Sequence, residues 1–166
     1  MLAGALAAAA AAAGCGKAPP LPPPAAAPPP LTITAPAEAS VKAPMTITVA
    51  ADANPDRNGR PSQVVLRIYQ LRTDAAFTAA DLLPLYDEEK RVLGPELISR
   101  DEFVLQPSDT RTIDVAVAGE TRFIGAIVPF RDDRNAMWRA IVPVTKGGLQ
   151  VDVGRASVKL APAPAP

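Results

Sequence analysis

Residues 45–160 predict an all-β fold: an antiparallel two-sheet β-sandwich with a short helical insertion between the second and third strands. Short runs rich in Val, Ile, Leu and Thr alternate with the two-residue period of a strand. Clusters of Asn, Asp, Gly and Pro separate these runs at close spacing, as tight connections between sandwich strands require. Only from Thr73 to Leu93 does the apolar period lengthen to that of a helix. No long-period repeat is visible.

Met45–Ala50 alternates and is rich in β-branched residues, so it predicts the first strand. The stretch Asp52–Ser62 is dense in residues that cap their own backbone or fix φ, and predicts a shaped loop. Gln63–Leu71 is the strongest strand, with Val64, Leu66 and Ile68 on one face and Val65, Arg67, Tyr69 and Leu71 on the other. Thr73 or Asp74 can cap a helix over Ala75–Asp81, and Pro84 is expected to interrupt it. A second helix is expected from about Leu85 to Leu93, stopped by Gly94-Pro95. Strands are then predicted at Glu102–Leu105, Thr110–Val117, Thr121–Phe130, Met137–Val144, Leu149–Val153 and Ala156–Leu160.

Outside this domain the composition changes. Residues 1–14 are an Ala/Leu/Gly tract, too short to cross a bilayer of about 30 Å. It ends in Ala12-Ala13-Gly14 directly before Cys15, the small-residue ending of a secretory signal. A cysteine in that position is where bacteria attach diacylglycerol, so residues 1–14 predict a lipoprotein signal and Cys15 the lipidated residue. No Lys or Arg precedes the apolar run, which is compatible with a start upstream of Met1. Gly16 is not the aspartate that retains lipoproteins at an inner membrane, so the expected place is the periplasmic face of an outer membrane. Residues 15–44 predict a lipid anchor and an Ala/Pro-rich linker, with Leu31-Thr32-Ile33-Thr34 as a strand-like exception. Some 29 extended residues would reach roughly 90 Å. Residues 161–166 predict a frayed tail.

Composition removes most chemistry. The 166 residues carry no histidine, a single cysteine, and 17 basic against 17 acidic side chains. Without histidine there is no Ser-His-Asp or Cys-His catalysis, and no usual zinc set. A balanced charge gives no electrostatic case for nucleic acid. Asp52-x-Asn54-x-Asp56-x-Asn58 resembles the start of a calcium loop, but Arg57 stands at the turn position that needs Gly and Gln63 replaces the bidentate Glu. Acidic clusters at Asp87-Glu88-Glu89, Asp101-Glu102 and Asp132-Asp133 have basic neighbours and predict solvated surface. No catalytic residue, metal ligand or cofactor is expected, apart from the covalent lipid on Cys15.

Asn54-Pro55-Asp56-Arg57-Asn58-Gly59-Arg60-Pro61-Ser62 flowing into Val64-Val65-Leu66-Arg67-Ile68-Tyr69-Gln70-Leu71 resembles the TssJ (SciN/VasD) family of type VI secretion lipoproteins. Phe77 followed by Asp81 and Leu85-Tyr86, and the hairpin from Phe130-Arg131 to Trp138-Arg139-Ala140, resemble it too. The resemblance implies a transthyretin-like sandwich and a structural role without enzyme activity. It also implies that residues 54–62 contact the periplasmic C-terminal domain of the inner-membrane protein TssM, which joins TssL. Arg57 and Arg60 would be the donors, and Gly59 and Pro61 would hold the loop's shape. The alternatives are a transthyretin-like periplasmic lipoprotein with a small ligand between its sheets, or a lipoprotein chaperone or adhesin that uses an edge strand.

Overall fold

The computed structural model describes residues 40–132, 134–145 and 147–163; Cys15, the Ala/Pro-rich stretch and Leu31–Thr34 lie outside them. Among the described residues there are eight strands and three short helices. In chain order these are β1 (Ser40–Val49), β2 (Val64–Leu71), α1 (Ala75–Ala79), α2 (Leu82–Asp87) and α3 (Glu89–Leu93). A 3-10 turn at Gly94–Glu96 leads into β3 (Leu97–Leu105), β4 (Thr110–Ala118), β5 (Phe123–Ile127), β6 (Arg139–Pro143), β7 (Leu149–Val153) and β8 (Val158–Pro162). They form two four-stranded sheets, ordered β4-β1-β7-β8 and β3-β2-β5-β6. The pairings between these strands are antiparallel except β1 with β7, because the chain returns to the first sheet beside β1 running in its direction.

The alternation seen in the sequence becomes the two faces of each sheet. Met45, Ile47 and Val49 of β1 meet Val64, Leu66 and Ile68 of β2 in the inter-sheet core, with Val151 and Val153 from β7. The outer face of β2 is covered as well. Tyr69 and Leu71 are buried with Phe77, Leu85, Leu93 and Ile127 beneath the helical insertion. Gln70, also buried, joins the two sheets: its Nε2 donates to Ala116 O at 2.8 Å, and its Oε1 accepts from Ala118 N–H and the Thr121 hydroxyl, each at 3.0 Å.

Several boundaries differ from those expected. β1 begins at Ser40 rather than Met45, since its register with β4 continues from Thr48↔Thr110 to Ser40↔Ala118. β3 begins at Leu97, paired with the end of β2, and not at Glu102. Ala161 and Pro162, expected in a frayed tail, pair with Gln150 and Leu149, and Ala163 N–H donates to Gly148 O at 2.7 Å. Pro84 does not interrupt a helix: it lies in the first turn of α2, where its missing N–H has no intrahelical partner to lose. The second expected helix is instead split at Glu88, which has non-helical angles (φ −129°, ψ 36°). Gly94 stops α3 with φ +50°, as its sequence position suggests. Asp74 precedes α1 but gives no side-chain cap; Glu96 reaches across to accept Ala76 N–H at 3.1 Å.

Arginines fasten the insertion to the sheet. Arg67 donates through Nη1 to Tyr86 O at 2.6 Å and through Nε to Glu102 Oε2 at 2.7 Å, with its guanidinium 3.6 Å from the Tyr86 ring centre. Arg139 Nη1 donates to the carbonyls of Phe77 and Ala80 at 2.9 and 2.8 Å, satisfying groups at the end of α1. Burial pushes the Tyr69 phenol up to about 12, so it stays a neutral donor to Glu89 Oε2 at 3.2 Å.

Gly125 of β5 makes room for this insertion. A Cβ there would stand 2.6 Å from Phe77 Cζ and 2.9 Å from Cε1 and Cε2, while that ring sits 5.6 Å from the ring of Tyr69. Gly125→Ala should therefore cost about 1–3 kcal/mol by overpacking, and Phe77→Ala about 3–5 kcal/mol by leaving a cavity. In the Phe77→Ala background, Gly125→Ala should cost much less. Denaturant midpoints for the four proteins of this cycle check it, and strict additivity would refute the packing argument.

A candidate partner-binding pole

β1 and β2 belong to different sheets, so the Ala50–Gln63 connection crosses one pole of the sandwich. Its base is buried at Ala53 and Asn54. Asn54 has φ +48°, a left-handed conformation that Asn adopts more readily than most residues. Every polar group of this residue is engaged. Its Nδ2 donates to Gln63 O at 2.8 Å, and its Oδ1 accepts Arg131 N–H at 2.9 Å. Its own N–H donates to Arg155 O at 2.9 Å, and its carbonyl accepts the Ser62 hydroxyl in a short hydrogen bond. One asparagine thus joins the β1–β2 loop to the β5–β6 and β7–β8 connections. Arg131 Nε adds a bond to Ser62 Oγ at 3.0 Å.

Beyond this clasp, Asp56 organises the tip. Its Oδ1 accepts the backbone N–H groups of Asn58 and Arg60 at 2.8 and 3.0 Å, and its Oδ2 accepts Arg60 Nε at 2.9 Å. Backbone bonds from Asp56 N to Arg60 O and from Gly59 N to Asp56 O close the turn at 2.8 and 2.9 Å. The Arg60 backbone N–H first, then its guanidinium and the Asn58 N–H, hold the Asp56 carboxyl below its ordinary value. Gly59 has φ +77° with nothing within 4 Å of a would-be Cβ, so the position requires glycine for conformation and not for space. Arg57, Asn58, Gly59, Arg60 and Pro61 are exposed, while Pro55, Asp56 and Ser62 are half-buried.

The nine sequence-predicted residues therefore form one connected loop, but they are not equivalent. Asn54, Asp56 and Ser62 hold its shape. Arg60 is tied back to Asp56, with Nη2 2.8 Å from Oδ2. Arg57 instead lines an open depression of about 830 Å³ with Pro55, Asp56, Arg131, Asp132, Arg134 and Arg155. Sequence reasoning missed the last three arginines as members of this site, because Arg131 and Arg134 resemble ordinary neighbours of Asp132-Asp133 and Arg155 lies far along the chain. Among the described residues no group of three or more His, Cys, Asp or Glu could hold a metal ion, and no helix is long and apolar enough to cross a membrane.

This fold has relatives. The family model described as type VI secretion lipoprotein, VasD, EvfM, TssJ matches residues 41–160. Among solved structures, the lipoprotein TssJ1 from Pseudomonas aeruginosa is 30% identical with a TM-score of 0.72, over 77% of this chain and 100% of that one. Serratia marcescens Lip, a membrane-bound component of the type VI secretion system, is 22% identical with a TM-score of 0.68, over 74% and 97%. A chain from a structure described as the TssM C-terminal domain from EAEC is 23% identical with a TM-score of 0.63, over 72% and 99%. No curated protein matches. With the family pattern spanning the whole sandwich, the chain belongs to the type VI secretion lipoproteins, a structural family and not an enzyme family.

Proposed function

We propose that this lipoprotein is anchored by acylated Cys15 in the outer membrane, facing the periplasm, and that its Asn54–Ser62 loop holds the periplasmic C-terminal domain of TssM. TssL would then be tied to the outer membrane through TssM. The observation that carries the reading is the self-satisfied loop: Asn54, Asp56 and Ser62 bind the backbone internally, and Arg57–Arg60 remain exposed on a preset frame. A preset loop loses little conformational freedom on binding, so its contacts yield more affinity. The likeness to a chain from a structure described by the TssM domain supports the choice of partner.

Two variants test the two halves. Replacing Arg57–Arg60 with Gly/Ser, with Asn54, Asp56 and Ser62 kept, should leave the thermal midpoint within a few degrees of the parent. It should weaken TssM binding more than about tenfold, because a small central cluster carries most interface energy. Unchanged affinity in the folded variant would place the interface elsewhere. Cys15→Ser should yield unacylated protein that fractionates as soluble or stays as an uncleaved precursor, and secretion should stop. Acylation persisting in that variant would refute the anchor.

Acid should loosen the loop at a defined point. Asp56 has a folded pKa below its ordinary 3.8, so its contribution to loop order is complete above about pH 4 and is lost as pH falls through the depressed value. Amide NMR shifts of Asn58 and Arg60 should titrate together in that acidic range and stay flat from there to neutrality. In Asp56→Asn the joint titration should vanish; its persistence would assign the transition to another group.

A further inference from the structure

Four arginines converge on the depression beside the loop, and only part of their donor capacity is used within the molecule. Arg131, which lines the depression, engages its Nε with Ser62 Oγ at 3.0 Å, and its terminal amino groups bond no described residue. Arg155 stands 3.7 Å from Asp52, with side chains 58% and 57% exposed, a pair worth little in water. Arg57 and Arg134 form no ion pair with a described residue. On the acidic side the lining holds Asp56 and Asp132, and Asp56 is already bound to Arg60. Net charge is a weak guide here, since the three connections together carry five arginines and four aspartates (Asp133 among them). Donor valence is a stronger one: guanidinium groups with N–H donors that bond no described residue line a depression whose carboxylates are those of Asp56 and Asp132.

We propose that the partner segment seated at this pole is acidic, and that Arg57, Arg131, Arg134 and Arg155 receive its Asp or Glu carboxylates in forked hydrogen bonds. This rests on the reading that the pole binds TssM, and it assigns the chemistry of the bound segment. Arginine matches a carboxylate with two parallel N–H···O bonds, which fixes orientation as well as charge. One observation favours a protein over anionic lipid. Met137, 58% exposed, lies on the β5–β6 connection with its N–H donating to the carbonyl of Ala156, the residue after Arg155, at 3.0 Å, so an exposed apolar side chain shares these connections with the arginines. An apolar contact bordered by forked donors is the composition of a protein interface.

The experiment uses the full lipidated chain in phosphatidylcholine nanodiscs, with and without phosphatidylglycerol, titrated with the TssM C-terminal domain at about 50 and 300 mM salt. Arg134→Glu and Arg155→Glu should each weaken binding at least tenfold with unchanged thermal midpoints. The double variant should lose most of the salt dependence, and Arg134→Lys should restore only part of the affinity. If the folded Glu variants bind as the parent does while the Arg57–Arg60 replacement abolishes binding, the pole is right and the carboxylate assignment is wrong. If none of these changes alters affinity, both readings fall. An effect seen only in discs containing phosphatidylglycerol would mean that the arginines face lipid headgroups, and would overturn the proposal.

Discussion

Strand β2 is buried on both faces, and the rest of the molecule is arranged around that constraint. A strand in a two-layer sandwich ordinarily buries one face and hydrates the other. Here Val64, Leu66 and Ile68 fill the inter-sheet core while Tyr69 and Leu71 need a second cover. The helical insertion is that cover, which is why it follows β2 directly and why Phe77, Leu85 and Leu93 are its buried residues. Double burial also leaves little water for polar groups on the strand. Arg67 and Gln70 accordingly find their partners inside the protein, one beneath Tyr86 and the other across the sheets on β4. Without disulfides among the described residues, it is this two-sided packing that fixes the strand.

A fixed β2 sets the start of the loop. Gln63, the residue before β2, supplies the carbonyl that Asn54 binds, and Ser62 supplies the hydroxyl bound to the Asn54 carbonyl. The rigidity of the core is thereby passed to an exposed segment through four or so hydrogen bonds, each worth about 1 kcal/mol net but costly to leave broken when buried. The order matters: Asn54 is engaged with three connections, Asp56 with the turn, and only the residues beyond them remain open to a partner.

How far the sequence reveals this depends on the range of the interaction. Periodicity exposes β2, β4 and β7 because alternation is a local signal, and Gly94 marks a helix stop for the same reason. The ends of β1, β3 and β8 are set by neighbouring strands, through pairs such as Ser40↔Ala118, Leu97↔Leu71 and Pro162↔Leu149, so local pattern misplaces them. The α1 cap is mistaken on the same ground, since Glu96 supplies it from across the insertion. At the pole, the loop is legible from its density of turn residues. The grouping of Arg131, Arg134 and Arg155 around Arg57 is not, because it requires the fold to bring three connections together.

The arginines make the division between structure and binding visible. Arg67 and Arg139 are partly buried and donate to backbone carbonyls of the insertion, at Tyr86 and at Phe77 and Ala80. Such donors cannot be released without leaving carbonyls unsatisfied, so they belong to folding. Arg60 lies on the loop but closes on Asp56, so its exposed position alone overstates its availability. Arg57 and Arg134, by contrast, leave no described carbonyl or carboxylate unsatisfied if a partner draws them away. Residue type is the same throughout, and charge is the same throughout. What separates a strut from a binding donor is whether the folded chain already supplies its acceptor, and at this pole it supplies too few.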